Sequence, residues 1–262
     1  MKSILLVGIL AAIFLSSCTS IYQVIDTKSI SNLNMSGDTC YAYENDTVKV
    51  IYNFWGDYGK MRVTVCNKLN IPIYLDWKKC MFFKGSQGMP FFNENIITET
   101  KSRGHSSYWG YGFSSNSGSS TSTTVRQDRI SYIPQKASVT SQSFIITSEV
   151  KGFSVDKYNI TQDSSSNNYE ELVNVDSKKY SLSQTPQTLR IVLTYATTES
   201  FQKESYVDNS FYVDEIKEML PNQFWGNHRL SPYEMGNRWF VYIPYSKHAK
   251  KWNVVHYGLN KM

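Results

Sequence analysis

Thr47-Val48-Lys49-Val50-Ile51-Tyr52-Asn53-Phe54, then the turn Gly56-Asp57-Tyr58-Gly59, then Lys60-Met61-Arg62-Val63-Thr64-Val65-Cys66 is the stretch that decides the fold class. Side chains of an extended chain alternate between two faces, so apolar residues at every second position mark a strand with one face buried. In the first segment Val48, Val50, Tyr52 and Phe54 share a face, with Lys49 and Asn53 on the other. In the second, Met61, Val63 and Val65 point inward while Arg62 and Thr64 point outward. Asn67–Asn70 turns the chain again, and Pro72 leads into Ile73–Phe83, where Ile73, Leu75 and Trp77 line one face. Connections this short cannot make the crossover that parallel strands require, so the three segments predict an antiparallel meander. That register sets Cys66 opposite a residue near Ile73, with Cys80 too far along to reach it simply.

The same alternation recurs downstream. Arg129–Ile133, Ser143–Ser148, Ser205–Val213 and Trp239–Ile243 read as strands, and Leu189–Tyr195 is the clearest of them, with Leu189, Ile191, Leu193 and Tyr195 on one face. Residues 102–124 are dominated by Ser, Thr and Gly and read as a long loop, and Asp163–Asn168 as a polar break. Asp214–Leu220 reads as a helical turn ended by Pro221. No repeat of 20–50 residues and no linker interrupts the series. The expectation is an all-β antiparallel sandwich, one β-rich domain over residues 40–262 with a less regular C-terminal part.

Asp46–Phe83, with Phe54-Trp55-Gly56, Asn67-Lys68-Leu69-Asn70 and Pro72-Ile73-Tyr74, resembles a group of uncharacterised Bacteroidetes lipoproteins. Tyr132-Ile133-Pro134-Gln135-Lys136 fits the same group, and the Asn-Lys…Pro-Ile turn is similar to that of Ig-like sandwich domains in other envelope lipoproteins. The resemblance covers about a third of the chain. It implies an Ig-like β-sandwich and brings no activity with it.

The first residues carry an address. Met1 and Lys2 precede an apolar run, Ile4–Leu15, broken only by small residues, which is the length of a signal peptide and too short for a permanent span. The run ends in Leu15-Ser16-Ser17-Cys18, which looks like the lipobox of bacterial lipoproteins. The resemblance implies cleavage after residue 17 and lipidation of Cys18, so that acyl chains hold the protein on a membrane. Residues 18–39 then read as the lipidated N-terminus and a tether. Thr19 and Ser20 follow with no Asp, which favours the outer membrane.

Composition narrows the function. Removal of residues 1–17 leaves 245 of 262, enough for one large domain. A net charge of +5 with scattered Lys and Arg argues against a nucleic-acid surface. After Cys18, an odd set of three cysteines remains, Cys40, Cys66 and Cys80, which allows one internal bridge or none. There is no Gly-x-Ser-x-Gly, Walker or His-Glu-x-x-His motif, and His105, His228, His248 and His256 are scattered. Glu170 and Glu171 are adjacent, which on a strand sends them to opposite faces. No metal, cofactor or catalytic residue is assigned, and a hidden Ser/His/Asp triad is the alternative.

The segment singled out for binding is Tyr108-Trp109-Gly110-Tyr111-Gly112-Phe113, because aromatic faces on a loop suit sugar rings or a partner's groove. Trp55, Trp77, Trp225, Trp239 and Trp252 read as core or core-edge residues. The expectation is a non-catalytic binding or assembly module contacting other envelope proteins, with a glycan-binding module using Tyr108, Trp109, Tyr111 and Phe113 as the alternative.

Overall fold

Strands form wherever the alternation is clean, and they also form in places where it is absent. The computed structural model describes residues 20–31, 33–36, 39–92, 97–109, 113–125, 128–141, 144–147, 152–165, 168–225 and 235–244. In chain order the strands are β1 (Ile21–Ser29), β2 (Asn34–Ser36), β3 (Cys40–Glu44), β4 (Val48–Asn53), β5 (Lys60–Asn67), β6 (Ile73–Asp76), β7 (Met81–Lys84), β8 (Gln87–Pro90) and β9 (Ile97–Trp109). There follow β10 (Phe113–Val125), β11 (Ile130–Ile133), β12 (Ser138–Thr140), β13 (Phe144–Ile145), β14 (Asn159–Ser165), β15 (Asn168–Lys179), β16 (Thr188–Ala196), β17 (Glu204–Met219) and β18 (Arg238–Ile243). A short helix, α1 (Pro221–Trp225), separates β17 from β18.

Two antiparallel sheets pack as a sandwich. The larger runs β11-β6-β16-β17-β1-β18, with β7 also on β16, β8 on β7, β15 also on β17, and β14 on β15. The smaller runs β12-β5-β4-β3-β2, with β13 on β5. Between them lies one core. Val48, Val50, Tyr52, Phe54, Met61, Val63 and Val65 from the smaller sheet meet Ile73, Leu75, Leu189, Ile191, Leu193, Phe211 and Trp239 from the larger, all essentially excluded from water. These are the inward faces that the alternation predicts, and Trp77 joins them at the edge of the core.

Several expectations are corrected. Residues 19–39, read as a tether, contain β1, a central strand hydrogen-bonded to β17 on one edge and to β18 on the other. Ile21, Gln23, Val24, Ile25, Asp26 and Thr27 are all buried, so both faces of the strand are covered and no alternation is left to read. The meander holds for β4 and β5 only. β6 leaves the smaller sheet and pairs with β11 and β16 in the larger, so Ile73 faces Ile133 and Cys66 faces Lys49 and Ser138. The corner is held by buried Asn67. Its Nδ2 donates to the carbonyls of Ile71 (2.8 Å), Pro134 (3.0 Å) and Ile133 (3.2 Å), while its Oδ1 accepts from the Leu69 amide. The Asn67–Asn70 and Tyr132–Lys136 motifs are therefore two halves of one corner.

The Ser/Thr/Gly stretch 102–124, read as a loop, lies within a hairpin, β9 against β10, thirteen residues a side. Asp214–Leu220, read as a helical turn, continues β17. The pairing passes from Asp26↔Glu215 to Thr27↔Val213, so Asp214 is an extra residue. At this bulge β17 stops pairing with β16 and begins to pair with β15. Pro221 opens α1 instead of closing a helix, because a proline at the first helical position gives up an amide that has no partner there. Asp163–Asn168, read as a polar break, spans the turn between β14 and β15.

Ile73–Phe83 is likewise two strands, broken by a turn that Asp76 organises. Its carbonyl accepts from the Lys79 amide and its Oδ1 from the Lys78 amide. The carboxylate is buried and receives two hydrogen bonds from Arg129, 3.1 and 2.8 Å. Burial alone would raise its pKa, but the Arg129 hydrogen bonds and charge outweigh that and hold it below the usual range. A depressed carboxylate stabilises the fold above its unfolded pKa of about 3.9, and that contribution is lost as pH falls through the folded value. Arg129→Ala is expected to lower the urea midpoint at neutral pH, because it leaves the buried carboxylate of Asp76 without its cation. The difference from the parent protein should shrink below about pH 4 as Asp76 takes up a proton.

Candidate functional site

The binding segment expected from sequence falls at the tip of the β9–β10 hairpin. The register pairs Trp109 with Phe113 and Tyr108 with Ser114. Tyr111 lies outside the described residues, as do Cys18, His228, His248, His256 and Trp252. Along the ribbon Thr98 faces Thr124, Thr100 faces Ser122, Ser102 faces Ser120, Gly104 faces Gly118 and Ser106 faces Asn116. From Thr98 to Ser106 this set of alternate positions is built of Ser, Thr and Gly, with Asn116 opposite Ser106, before it reaches Tyr108 opposite Ser114. Among the described residues, neither outer edge of the ribbon pairs with another strand. Fully extended, thirteen residues reach about 44 Å.

A second constellation, which sequence reasoning missed, lies on the face of the larger sheet turned away from the sandwich core. Asp26 on β1, Glu215 and Lys217 on β17 and Arg238 on β18 occupy neighbouring positions, Asp26 being paired with both Glu215 and Arg238. The β14–β15 hairpin curls over them and adds Asp163. Lys217 Nζ lies 2.7 Å from Asp26 Oδ2, 2.7 Å from Asp163 Oδ2 and 3.4 Å from Glu215 Oε2. Arg238 Nε lies 2.7 Å from Asp26 Oδ1, an ion contact rather than an aligned hydrogen bond. All five side chains are about nine-tenths buried. Burial alone would lower the pKa of Lys217, but Asp26 and Asp163 outweigh it and raise it. A charged ammonium shared among carboxylates is a poor general base. The cluster clamps the curled hairpin to the sheet.

Next to the clamp, at the start of β1, the hairpin and α1 cover a small aromatic core. The Tyr22 ring stacks on Phe224 at 4.2 Å, meets Trp225 edge-on at 5.8 Å and approaches Tyr242 at 5.2 Å, while Trp55 packs on Phe240 at 5.2 Å. Trp55 and Trp239 are buried, as the sequence predicts, and Trp225 is half-buried.

On the hairpin's own flank a groove of about 420 Å³ opens to solvent, lined by Lys157, Asn159, Thr161, Ser177, Lys178 and Lys179. Ser177 forms its buried floor and accepts a hydrogen bond from Thr161 Oγ1 at 2.9 Å. Lys178 Nζ sits 5.4 Å from the centre of the Tyr180 ring. Among the described residues none of the three lysines forms an ion pair. No sequence signal marked this groove, since Lys157 and Lys179 are 22 positions apart and meet only through the β14–β15 pairing.

The cysteines form no disulfide among the described residues. Cys80 is buried, and burial pushes its thiol up to about 12; burial also raises Cys66, which is partly exposed. A thiol with so little thiolate at neutral pH is a poor nucleophile. Titration of the native protein with a chromogenic disulfide is expected to modify Cys66 slowly and Cys80 only after denaturant is added. Among the described residues no group of three or more His, Cys, Asp or Glu is placed to hold a metal ion. No helix among them is long and apolar enough to cross a membrane.

No family model, curated protein or solved structure matches the chain.

Proposed function

We propose that the chain is an envelope lipoprotein held by a lipid on Cys18, with the outer membrane as its site, and that it acts as a non-catalytic binding or assembly module built on an Ig-like sandwich. The observation that carries the binding role is the β9–β10 ribbon, whose outer edges pair with no other described strand. An isolated two-stranded ribbon is marginal in water, so a partner that completes its hydrogen bonding stabilises it. The partner in this reading is another envelope protein. Crosslinking in the intact envelope, with the full chain and with a chain lacking residues 97–125, tests it. Crosslinked partners lost with the ribbon support the reading, and partners retained without it refute it. The anchor has its own test, since Cys18→Ala should abolish fatty-acid labelling.

A second reading rests on the pairing of Trp109 with Phe113, which sets two aromatic residues side by side at the hairpin tip. In this reading the aromatic residues Tyr108, Trp109, Tyr111 and Phe113 would stack on sugar rings. Polysaccharide binding by the protein that Trp109→Ala removes favours this reading over protein assembly. A hydrolytic role is tested by ester, peptide and glycoside substrates, and turnover of any of them would displace both readings.

A further inference from the structure

We infer that the lysine groove on the β14–β15 hairpin is a contact site for negatively charged phospholipid headgroups of the membrane that carries the chain; this rests on the reading of Cys18 as the lipidated residue. The sequence distance from Cys18 to the fold sets the geometry. β1 begins at Ile21, three residues beyond Cys18, and three extended residues span no more than about 11 Å. The sandwich therefore sits directly on the bilayer with no tether to hold it away. The register then measures how far the groove lies from that point. Ser177 pairs with Lys217, which pairs with Val24, and Lys179 pairs with Glu215, which pairs with Asp26. Val24 is six residues from Cys18, so this level of the sheet lies within about 20 Å of the acylated residue.

Two further features fit a surface lying against headgroups. The half-buried Tyr22 and Trp225, with the exposed Tyr242, cluster at the same end of β1. Amphipathic rings of this kind settle at the boundary between water and acyl chains. The groove's chemistry is that of an anion site: three ammonium groups that form no ion pair among the described residues, the Asn159 amide and the Thr161 hydroxyl. Of the neighbouring acids, Asp26, Asp163 and Glu215 are turned into the interior cluster, against Lys217 and Arg238, while Asp156, next to Lys157, stays exposed near Tyr180. Lysine binds phosphoryl groups as a mobile point charge, and anionic leaflets attract such clusters within a Debye length. No aromatic ring is among the residues lining the groove, which disfavours a sugar.

The test is lysine acetylation read by mass spectrometry on the whole chain, isolated as its host makes it and reconstituted into vesicles. One set of vesicles is phosphatidylcholine alone and the other contains one part in three of phosphatidylglycerol. Lys157, Lys178 and Lys179 should lose reactivity several-fold in the anionic vesicles only, while Lys203, just before the far end of β17, keeps its reactivity in both. Equal reactivity in the two vesicle types, or equal protection of Lys203, overturns the proposal. Protection that appears in phosphatidylcholine vesicles on adding inorganic phosphate assigns the groove to a soluble phosphoryl ligand and also overturns it. The same spectra report whether Cys18 carries lipid. An acylated chain with an unprotected groove refutes the headgroup site alone, and an unacylated chain refutes the anchor.

Discussion

Replacing Lys217 with methionine is expected to lower the unfolding free energy by about 3–5 kcal/mol at neutral pH, although methionine fills nearly the same volume. The cost comes from what remains. Lys217 Nζ is shared by Asp26, Asp163 and Glu215, all about nine-tenths buried, and its removal leaves three carboxylates facing Arg238 alone. An uncompensated buried charge is far more costly than the intact pair is favourable. Urea denaturation measures the loss. The sign of the coupling separates this account from simple packing: Asp163→Asn should destabilise the parent protein but restore part of the stability of Lys217→Met. Additive losses would mean that the two residues act independently. In the intact protein the raised pKa of Lys217 gives a contribution fully present below its unfolded value of about 10.4, lost only as alkali carries pH through the folded value. A stability loss near neutral pH therefore has to be sought elsewhere.

The same cluster explains why part of the fold is illegible in sequence. Val48–Phe54, Met61–Val65 and Leu189–Tyr195 can be read because each buries one face against the opposite sheet and shows the other to water, so alternation survives. β1 and the distal half of β17 are buried on both faces. Their second face carries Asp26, Glu215 and Lys217, charges that read as solvent-exposed until Asp163 and Arg238 arrive from distant parts of the chain to neutralise them. The charged residues and the Ile216–Met219 spacing of Asp214–Leu220 imitate a helical turn for that reason. β9 and β10 hide differently, since a strand pair held by backbone hydrogen bonds needs no apolar face, and Ser, Thr and Gly leave no period to detect. The crossing from β5 to β6 depends on where Asn67 directs its amide, which the turn residues alone do not reveal. Of the candidate site, the tip residues Tyr108, Trp109 and Phe113 were legible as unusual chemistry. The lysine groove was not, because it exists only after β14 and β15 pair.

The other large effect belongs to Phe211, where the two sheets are joined. Phe211 stands on β17 of the larger sheet and is fully buried. Its ring meets three rings of the smaller sheet's chain: Tyr41 at 5.1 Å, Tyr52 at 5.2 Å and Phe54 at 5.1 Å. Tyr52 and Phe54 meet it edge-on, and the Tyr41 ring is tilted, arrangements that set a positive ring edge against a negative face. Two residues away, the Tyr52 hydroxyl donates to Asn209 Oδ1 at 2.6 Å, a buried bond between the same strands. Phe211→Ala removes the central ring, and the three surrounding rings, held by β3 and by the Tyr52–Phe54 stretch of chain, cannot collapse into the space. The expected loss is about 3–5 kcal/mol, at the upper end because the cavity stays open. Phe211→Leu, which keeps most of the volume and loses the ring contacts, should cost about half as much. Denaturant midpoints of the two variants decide between cavity and ring geometry. Equal losses would place the energy in the aromatic contacts, and a small loss for leucine with a large one for alanine would place it in filled volume. In either case the sheets should still unfold in one transition, because Trp239 and the aliphatic residues of both sheets belong to the same continuous core.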